Sequence, residues 1–496
     1  MIDLKKREFW FLTGSQDLYG PETLKQVDAD SRAMVAGLDA ILPCKLVWKP
    51  VLKGPEGILE TMRAANADPA CAGIVTWMHT FSPSKMWIAG LAELNRPICH
   101  LHTQYNRDIP WAAIDMDFMN LNQSAHGDRE HGFIYAKMRL PRKVVVGHWQ
   151  DPRVAGKLSG WMRAAAGFAE GRSLKVARFG DNMREVAVTE GNKVSAQLAF
   201  GWQVNGWGLG ALAEAVAKVE PQAVEALVKA YREEYEVASD ALSGAGLERV
   251  REQARIELGM RGFLDARGAK AFVTTFEDLA GLPQLPGLAS QRLMADGYGF
   301  GAEGDWKTAA LLRCAKVMEA GLSGGTSFME DYTYHFEPGR EAELGAHMLE
   351  VCPSVAAKRP RLEVHPLGIG GKADPARLVF DGAAGEALNA TIVDLGDRFR
   401  MIVNEVEAVE PYAPMPKLPV ARVMWKPKPD LCRGAECWIL AGGAHHTVYS
   451  RSIKTEWLRD YAEMAGIECL VIGAGSDPED FRKEIRWNEA AYRLGR

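Results

Sequence analysis

Short apolar runs alternate with amphipathic stretches over the first part of the chain. Phe9-Trp-Phe-Leu-Thr13, Cys44-Lys-Leu-Val-Trp48, Ala72-Gly-Ile-Val-Thr-Trp77 and Pro97-Ile-Cys-His-Leu-His102 read as buried strands. Between them, the segments opened by Pro21, over 55–65 and over 86–94 read as helices, with Pro21 suited to a first helical turn. Strands separated by helices predict a parallel sheet covered on both faces. Such sheets hold ligands at the carboxyl ends of their strands, where Gln16, Tyr19, His79, Thr80, His102 and Gln104 stand. Lys143-Val-Val-Val-Gly restarts the pattern before a helix over 154–169, and Leu174-Lys-Val-Ala-Arg-Phe-Gly is a further strand. Helical spacing then fills 209–218, 222–236, 247–265 and 305–320, with a buried strand over 271–276. From about residue 325 the texture changes. The stretches 327–337, 344–351, 361–364, 377–381, 388–395 and 399–409 read as strands without intervening helices, which predicts an antiparallel, barrel-like region. Helices over 455–465 and 478–493 finish the chain. The expected fold is α/β in three domains. Residues 1–174 and 175–324 form N-terminal and central doubly wound parallel-sheet domains, and 325–496 a C-terminal antiparallel β-barrel-like α+β domain.

Composition narrows the class. The 496 residues are 47% hydrophobic and 25% charged, which excludes a disordered chain or a coiled-coil rod. A net charge of −5 offers no electrostatic case for a nucleic-acid or anionic-membrane partner. No apolar run is long enough for a membrane span or a signal segment. The eight cysteines include no Cys-x-x-Cys pair, which suits reduced thiols and a cytoplasmic protein.

Generic motifs carry little. Gly206-x-Gly208-x-x-Ala211, Gly297-x-Gly299-x-x-Ala302 and Gly368-x-Gly370-x-x-Ala373 all fit a loose dinucleotide pattern, and none is expected to join a strand to a helix. Polar residues set where alternation would bury them say more. Glu330 shares a strand face with Phe328, Tyr332 and Tyr334, and a carboxylate among aromatics is costly unless paired or metal-bound. His347 shares a face with Leu349 and Val351, and His446 with Val448, while His445 points the other way. Glu303 sits in Gly297-Tyr-Gly-Phe-Gly-Ala-Glu-Gly304, where backbone can approach a ligand closely. Asp305 caps the helix that follows. Each has a plain alternative: a solvent-facing Glu330, a hydrogen-bonded core His347, loop histidines at 445 and 446. Together, two carboxylates and two imidazoles on separate segments suit a divalent ion such as Mn²⁺. Asp331 is expected to point outward and is given no role.

Longer segments carry a resemblance. Gly14-Ser-Gln-Asp-Leu-Tyr-Gly-Pro-Glu-Thr-Leu, His79-Thr-Phe-Ser-Pro, Phe179-Gly-Asp-Asn-Met-Arg-Glu-Val-Ala-Val-Thr, Glu303-Gly-Asp-Trp-Lys-Thr-Ala, Gly324-Gly-Thr-Ser-Phe-Met-Glu-Asp-Tyr-Thr-Tyr-His, His347-Met-Leu-Glu-Val-Cys-Pro and Gly442-Gly-Ala-His-His-Thr run through the chain in order. In these the sequence resembles the L-arabinose isomerase family. The resemblance implies a fucose isomerase-like fold and a hexamer with active sites between subunits. It implies an aldose–ketose isomerase that turns L-arabinose into L-ribulose by metal-assisted proton transfer through an enediol. One Mn²⁺ per subunit would be held by Glu303, Glu330, His347 and His446, with His445 the alternative to the last. Glu303 and Glu330 would double as the catalytic proton-transfer pair, Glu330 as the base at C2. Gln16, Leu18, Tyr19, Met183, Phe276 and Ile369 would line the sugar pocket, and His126 would reach in from a neighbouring subunit. The competing readings are an isomerase of L-fucose or D-galactose type, a non-catalytic sugar-binding protein and, third, a nicotinamide dehydrogenase.

Overall fold

The structure, a computed structural model, describes residues 2–367 and 371–494. They form two compact units. One comprises residues 2–169 with 456–464, the other 170–455 with 465–494.

The first unit is built on a five-stranded parallel sheet of β1 (Glu8–Gly14), β2 (Lys45–Trp48), β3 (Cys71–Met78), β4 (Ile98–His102) and β5 (Lys143–Val146), in the order β2-β1-β3-β4-β5. β3 is buried along its whole length, as a strand covered on both faces must be. The order reverses between β1 and β3, so Ser15, Gln16, His79 and Thr80 fall at the switch point where such sheets open a crevice.

The second unit carries the central sheet and the barrel. β6 (Lys175–Phe179), β7 (Gln203–Trp207), β9 (Ala271–Val273) and β10 (Gly299–Gly301) form a parallel sheet in the order β10-β9-β6-β7. β8 (Glu236–Val237) belongs to a small separate sheet with β13 (Arg361–Val364) and β14 (Ala376–Val379). The barrel is made of β11 (Thr326–His335), β12 (Ala342–Ala346), β15 (Gly385–Asp394), β16 (Phe399–Val409), β17 (Val423–Pro427) and β18 (His446–Ser450). Antiparallel pairing runs β15-β18-β11-β12-β17-β16, and β15 pairs with β16 to close the ring. β19 (Glu468–Ile472) adds to β16 in parallel. Met329, Val406, Val423, Trp425 and Tyr449 belong to one buried core. Gly345 serves that packing: a Cβ there would lie 2.1 Å from the Trp425 ring. The three-domain architecture expected from the pattern is therefore present, with two parallel sheets and an antiparallel barrel.

Several elements depart from the sequence pattern. The strand expected over 344–351 stops at Ala346, and His347 begins an irregular segment. Helices Lys193–Phe200, Gly287–Ala295 and Leu431–Ala441 were not expected, nor were β7, β10, β17 and β19. Gly287–Ala295 is buried on nearly every side and so lacks an amphipathic stripe. In Lys193–Phe200 the apolar Val194 and Leu198 are exposed, so periodicity misleads. Gly206-x-Gly208-x-x-Ala211 does join a strand, β7, to a helix, Leu209–Ala217, contrary to expectation. A Cβ at Gly206 or Gly208 would meet open space, so no close approach calls for glycine there.

Candidate functional site

The site is assembled by strand register. β11 lies between β12 and β18, with Glu330 opposite Ala346 on one side and His446 on the other. His347 follows Ala346 directly, so three of the candidate side chains meet where β12 ends and β18 begins. Phe328, two residues before Glu330 on the same face, packs its ring 5.1 Å from that of His347 and 5.0 Å from that of His446. It also meets Phe300 of β10 at 5.2 Å, which sets the barrel against the central sheet within this unit.

Glu303 arrives from the central sheet, on the turn between β10 and helix Trp306–Glu319. The glycines before it serve packing. A Cβ at Gly299 would lie 2.0 Å from Ala309 O, and one at Gly301 2.1 Å from Asp305 O. Their absence lets the chain's own helix press on β10, where the pattern suggested approach to a ligand. Glu303 itself has φ +54°, a left-handed conformation that costs a non-glycine residue about 1 kcal/mol or more. Its carbonyl accepts from Met183 N at 3.0 Å, and Gly304 N donates to Thr274 O at 3.1 Å, which hold the turn.

The polar atoms converge. Glu303 Oε2 lies 3.5 Å from His445 Nε2 and 3.8 Å from His446 Nε2, and Glu330 Oε2 lies 3.8 Å from His347 Nε2. The rings of His347 and His446 are 6.0 Å apart. Glu303, His445 and His446 each offer a ligand atom within 4.8 Å of the others. His446 is fully buried, yet both its ring nitrogens lack a hydrogen-bond partner. A buried imidazole in that state is costly, and a cation accepting its lone pair would relieve the cost. Oxygen and nitrogen donors from two carboxylates and two or three imidazoles fit a divalent transition ion.

Supporting groups orient these donors. His347 Nδ1 meets Glu350 Oε2 at 2.5 Å, and Leu349 N donates to the same oxygen at 3.0 Å. This leaves Nε2 of His347 facing Glu330. Burial disfavours the His347 imidazolium, but the carboxylates of Glu350, Glu330 and Glu303 outweigh it and raise its pKa. Burial likewise opposes ionisation of Glu303, and contact with His445 and the charges of His446 and His347 hold its pKa below the ordinary carboxyl value. Tyr332, at a bulge in β11 two residues after Glu330, has its hydroxyl pushed up to about 12 by burial and the fields of Glu330, Glu350 and Glu303.

Asp331 turns away from Glu330, but into the barrel and not outward. It pairs with Gly345, whose missing Cβ faces Trp425 and Met329. Glu343 is on that same face and accepts from Trp425 Nε1 at 3.2 Å. Burial, then the charges of Glu343 and Glu330, raise the Asp331 carboxyl well above its ordinary value.

The proposed sugar-lining residues divide between the units. Phe276 lines an open cleft of about 360 Å³ with Glu303, His347, Glu350 and Leu285. Met183 is tied to Glu303 through the backbone hydrogen bond above. Ile369 lies outside the described residues. Gln16, Leu18, Tyr19 and His126 belong to the first unit, beyond β1 and on helix Ser124–Lys137. There Leu18 is 82% exposed, Tyr19 Oη donates to Gln123 Oε1 at 3.4 Å, and His126 packs on Phe81 at 4.7 Å. Of the other residues at strand ends, His79 is fully buried against Asp30 at 2.8 Å, and Thr80 bonds Ser15 at 2.7 Å. His102 Nδ1 meets Asp128 Oδ2 at 2.9 Å.

Glu350 gained no site role from sequence reading, because it is short-range support whose target, His347, is visible only in space. The adjacent His445-His446 dipeptide was the available signal for a second imidazole.

Comparison with known proteins covers nearly the whole chain. Three family models match in succession: the L-arabinose isomerase N-terminal domain over residues 3–173, its central domain over 175–321 and its C-terminal domain over 325–468. An L-arabinose isomerase of Geobacillus kaustophilus is 62% identical over 99% of this chain and 100% of its own length. One from Thermotoga petrophila is 61% identical over 100% of this chain and 99% of its own. A solved periplasmic sugar-binding protein from Legionella pneumophila aligns with 63% of this chain and 93% of its own, at 13% identity and a TM-score of 0.14, too low to bear on fold or function.

Proposed function

The chain belongs to the L-arabinose isomerase family, and from that premise we propose that it interconverts L-arabinose and L-ribulose at the cluster of Glu303, Glu330, His347 and His446. The observation that carries the reading is the convergence of these side chains from four separate segments, with His446 buried and lacking a hydrogen-bond partner. The four would hold one Mn²⁺, with His445 beside Glu303 as a further contact. When bound, such an ion polarises the sugar carbonyl and steadies the charge of an enediolate.

The protein's own groups supply the rest. Isomerisation moves a proton from C2 to C1 and exchanges protons between O1 and O2. Glu330, beside the cleft and opposite His347, is the base at C2 and returns that proton to C1. Glu303, kept ionised by the imidazoles around it, handles the hydroxyl protons. Glu350 fixes the ring of His347, and Phe276 supplies an apolar wall. Gln16, Leu18, Tyr19 and Met183 line the sugar pocket with Phe276, and His126 reaches in from a neighbouring copy in a homohexamer. The enzyme acts in the cytoplasm. Among the described residues no helix is long and apolar enough to cross a membrane, and no disulfide joins the cysteines.

The test is ketose formation from a panel of aldoses by metal-stripped protein, with and without Mn²⁺. L-arabinose should lead, and activity should return with the metal. Equal turnover after stripping, or preference for L-fucose or D-galactose, would count against the reading.

A further inference from the structure

The apolar side of the cleft is made by Phe276, Leu279, Leu285 and Pro286. All four lie on the connection between β9 and helix Gly287–Ala295, which has no strand or helix of its own. Its internal backbone bonds, such as Asp278 N to Thr275 O at 3.1 Å and Leu282 N to Leu279 O at 3.2 Å, close single turns and do not fix where those turns stand. Arg184 anchors the start: its N and Nη1 both donate to Glu277 Oε2, at 3.1 and 2.9 Å. Further on, Leu279, Leu282 and Leu285 are buried, and a carbonyl turned from water there needs a donor.

Those donors come from one short stretch. Lys372 Nζ donates to Leu279 O and to Leu282 O, each at 2.8 Å, and Ala373 N donates to Pro283 O at 3.0 Å. The carbonyls of Leu279 and Leu282 thus turn to a single point. One backbone N–H serves two acceptors poorly, whereas an ammonium carries three donors, and a charged donor makes the stronger bond. We propose that Lys372 is a positioning residue for the sugar pocket, which by tying Leu279 and Leu282 sets the apolar wall at its working distance from Glu303 and His347. This rests on the sugar-isomerase reading above. The bonds of Lys372 go to main-chain oxygens and to none of the proposed metal ligands, so it acts on the grip of the sugar and leaves the ion and the proton transfers alone.

Two measurements on the full chain test this. Lys372→Met keeps the stem and removes the donors, and because Lys372 is half-buried its loss leaves the core intact. In the unliganded protein, hydrogen exchange over 276–287 should quicken about tenfold in Lys372→Met and return to the wild-type rate in Lys372→Arg. With Mn²⁺ and L-arabinose, Lys372→Met should raise KM about tenfold at unchanged kcat and unchanged Mn²⁺ Kd, since it loosens a contact that ground and transition states share. Lys372→Arg should restore KM. A wild-type KM in folded Lys372→Met would overturn the proposal. So would KM, kcat and metal affinity failing together, because that pattern marks general loss of structure. If Lys372→Met does not fold, Lys372→Gln, neutral and shorter, is held to the same outcomes. Failure of the wild-type chain to isomerise any aldose would sink the isomerase reading itself. Exchange would still decide the strap, and a wild-type rate over 276–287 in the folded variant would remove it.

Discussion

Glu330 and Glu303 are alike in type and differ in setting. Glu330 sits in paired strand geometry on the same face as Phe328, whereas Glu303 is held in a left-handed turn by its neighbours' backbone. The costly one in sequence terms was Glu330, since alternation put a carboxylate among aromatics. The strain at Glu303 is invisible until the backbone is known. Glu330→Gln should lower kcat by about 10²-fold or more with unchanged circular dichroism, as loss of a proton-transfer group does. Near-normal turnover would remove Glu330 from its role. Turnover in D₂O should leave solvent deuterium at C1 of the product, and its absence would point to a hydride shift. Glu350→Gln should weaken Mn²⁺ binding by loosening His347, read as a raised Kd for the metal.

At the scale of elements, alternation along β11 sends Glu330 to the site and Asp331 into the barrel. Glu343 joins Asp331 there, and burial pushes its carboxyl up to about 7, against the hydrogen bond from Trp425. The folded chain therefore keeps a proton on Glu343 that the unfolded chain, near 4.5, has released. That contribution to stability is full below about pH 4.5 and is lost as pH rises to about 7. Glu343→Gln should flatten this part of the stability profile, seen as a gap between variant and wild-type Tm that changes from pH 5 to pH 7.5. A constant gap would contradict the assignment. Gly345→Val should destabilise by about 1–3 kcal/mol, because Trp425 occupies the space its side chain would need. Thermal denaturation measures that loss. Strand β12 was readable from its alternation, but its stop at Ala346 was not: Leu349 and Val351 are buried as a strand would have them, while the backbone there is irregular.

Over the whole molecule, all four proposed metal ligands belong to the unit of 170–455 and 465–494, and Gln16, Leu18, Tyr19 and His126 to the other. Mn²⁺ should therefore protect residues 299–305, 326–331, 345–350 and 443–448 from hydrogen exchange more than any part of the first unit. A stabilisation of about 2.7 kcal/mol is expected at a hundredfold excess over Kd. Uniform protection, or none, would count against this site. Trp111, Met116 and Met119 are exposed in the first unit, apolar surface of a kind that association covers. Sedimentation should give six copies, and a monomer at micromolar concentration would refute the hexamer.

The alternation of apolar runs determined by itself that parallel sheets come first and an antiparallel barrel last, since burial on two faces or one writes itself into local pattern. The same local logic marked Glu330 as out of place, and the dipeptide at 445–446 as worth notice. Only the tertiary structure decided that these meet Glu303 and His347, because convergence depends on the register of β11 between its two neighbours and on how closely helix Trp306–Glu319 presses on β10. Neither distance is encoded in any window of the chain. The support that Glu350 gives His347 was beyond sequence reading for the same reason: a buried polar group announces its purpose only through the partner that space brings to it.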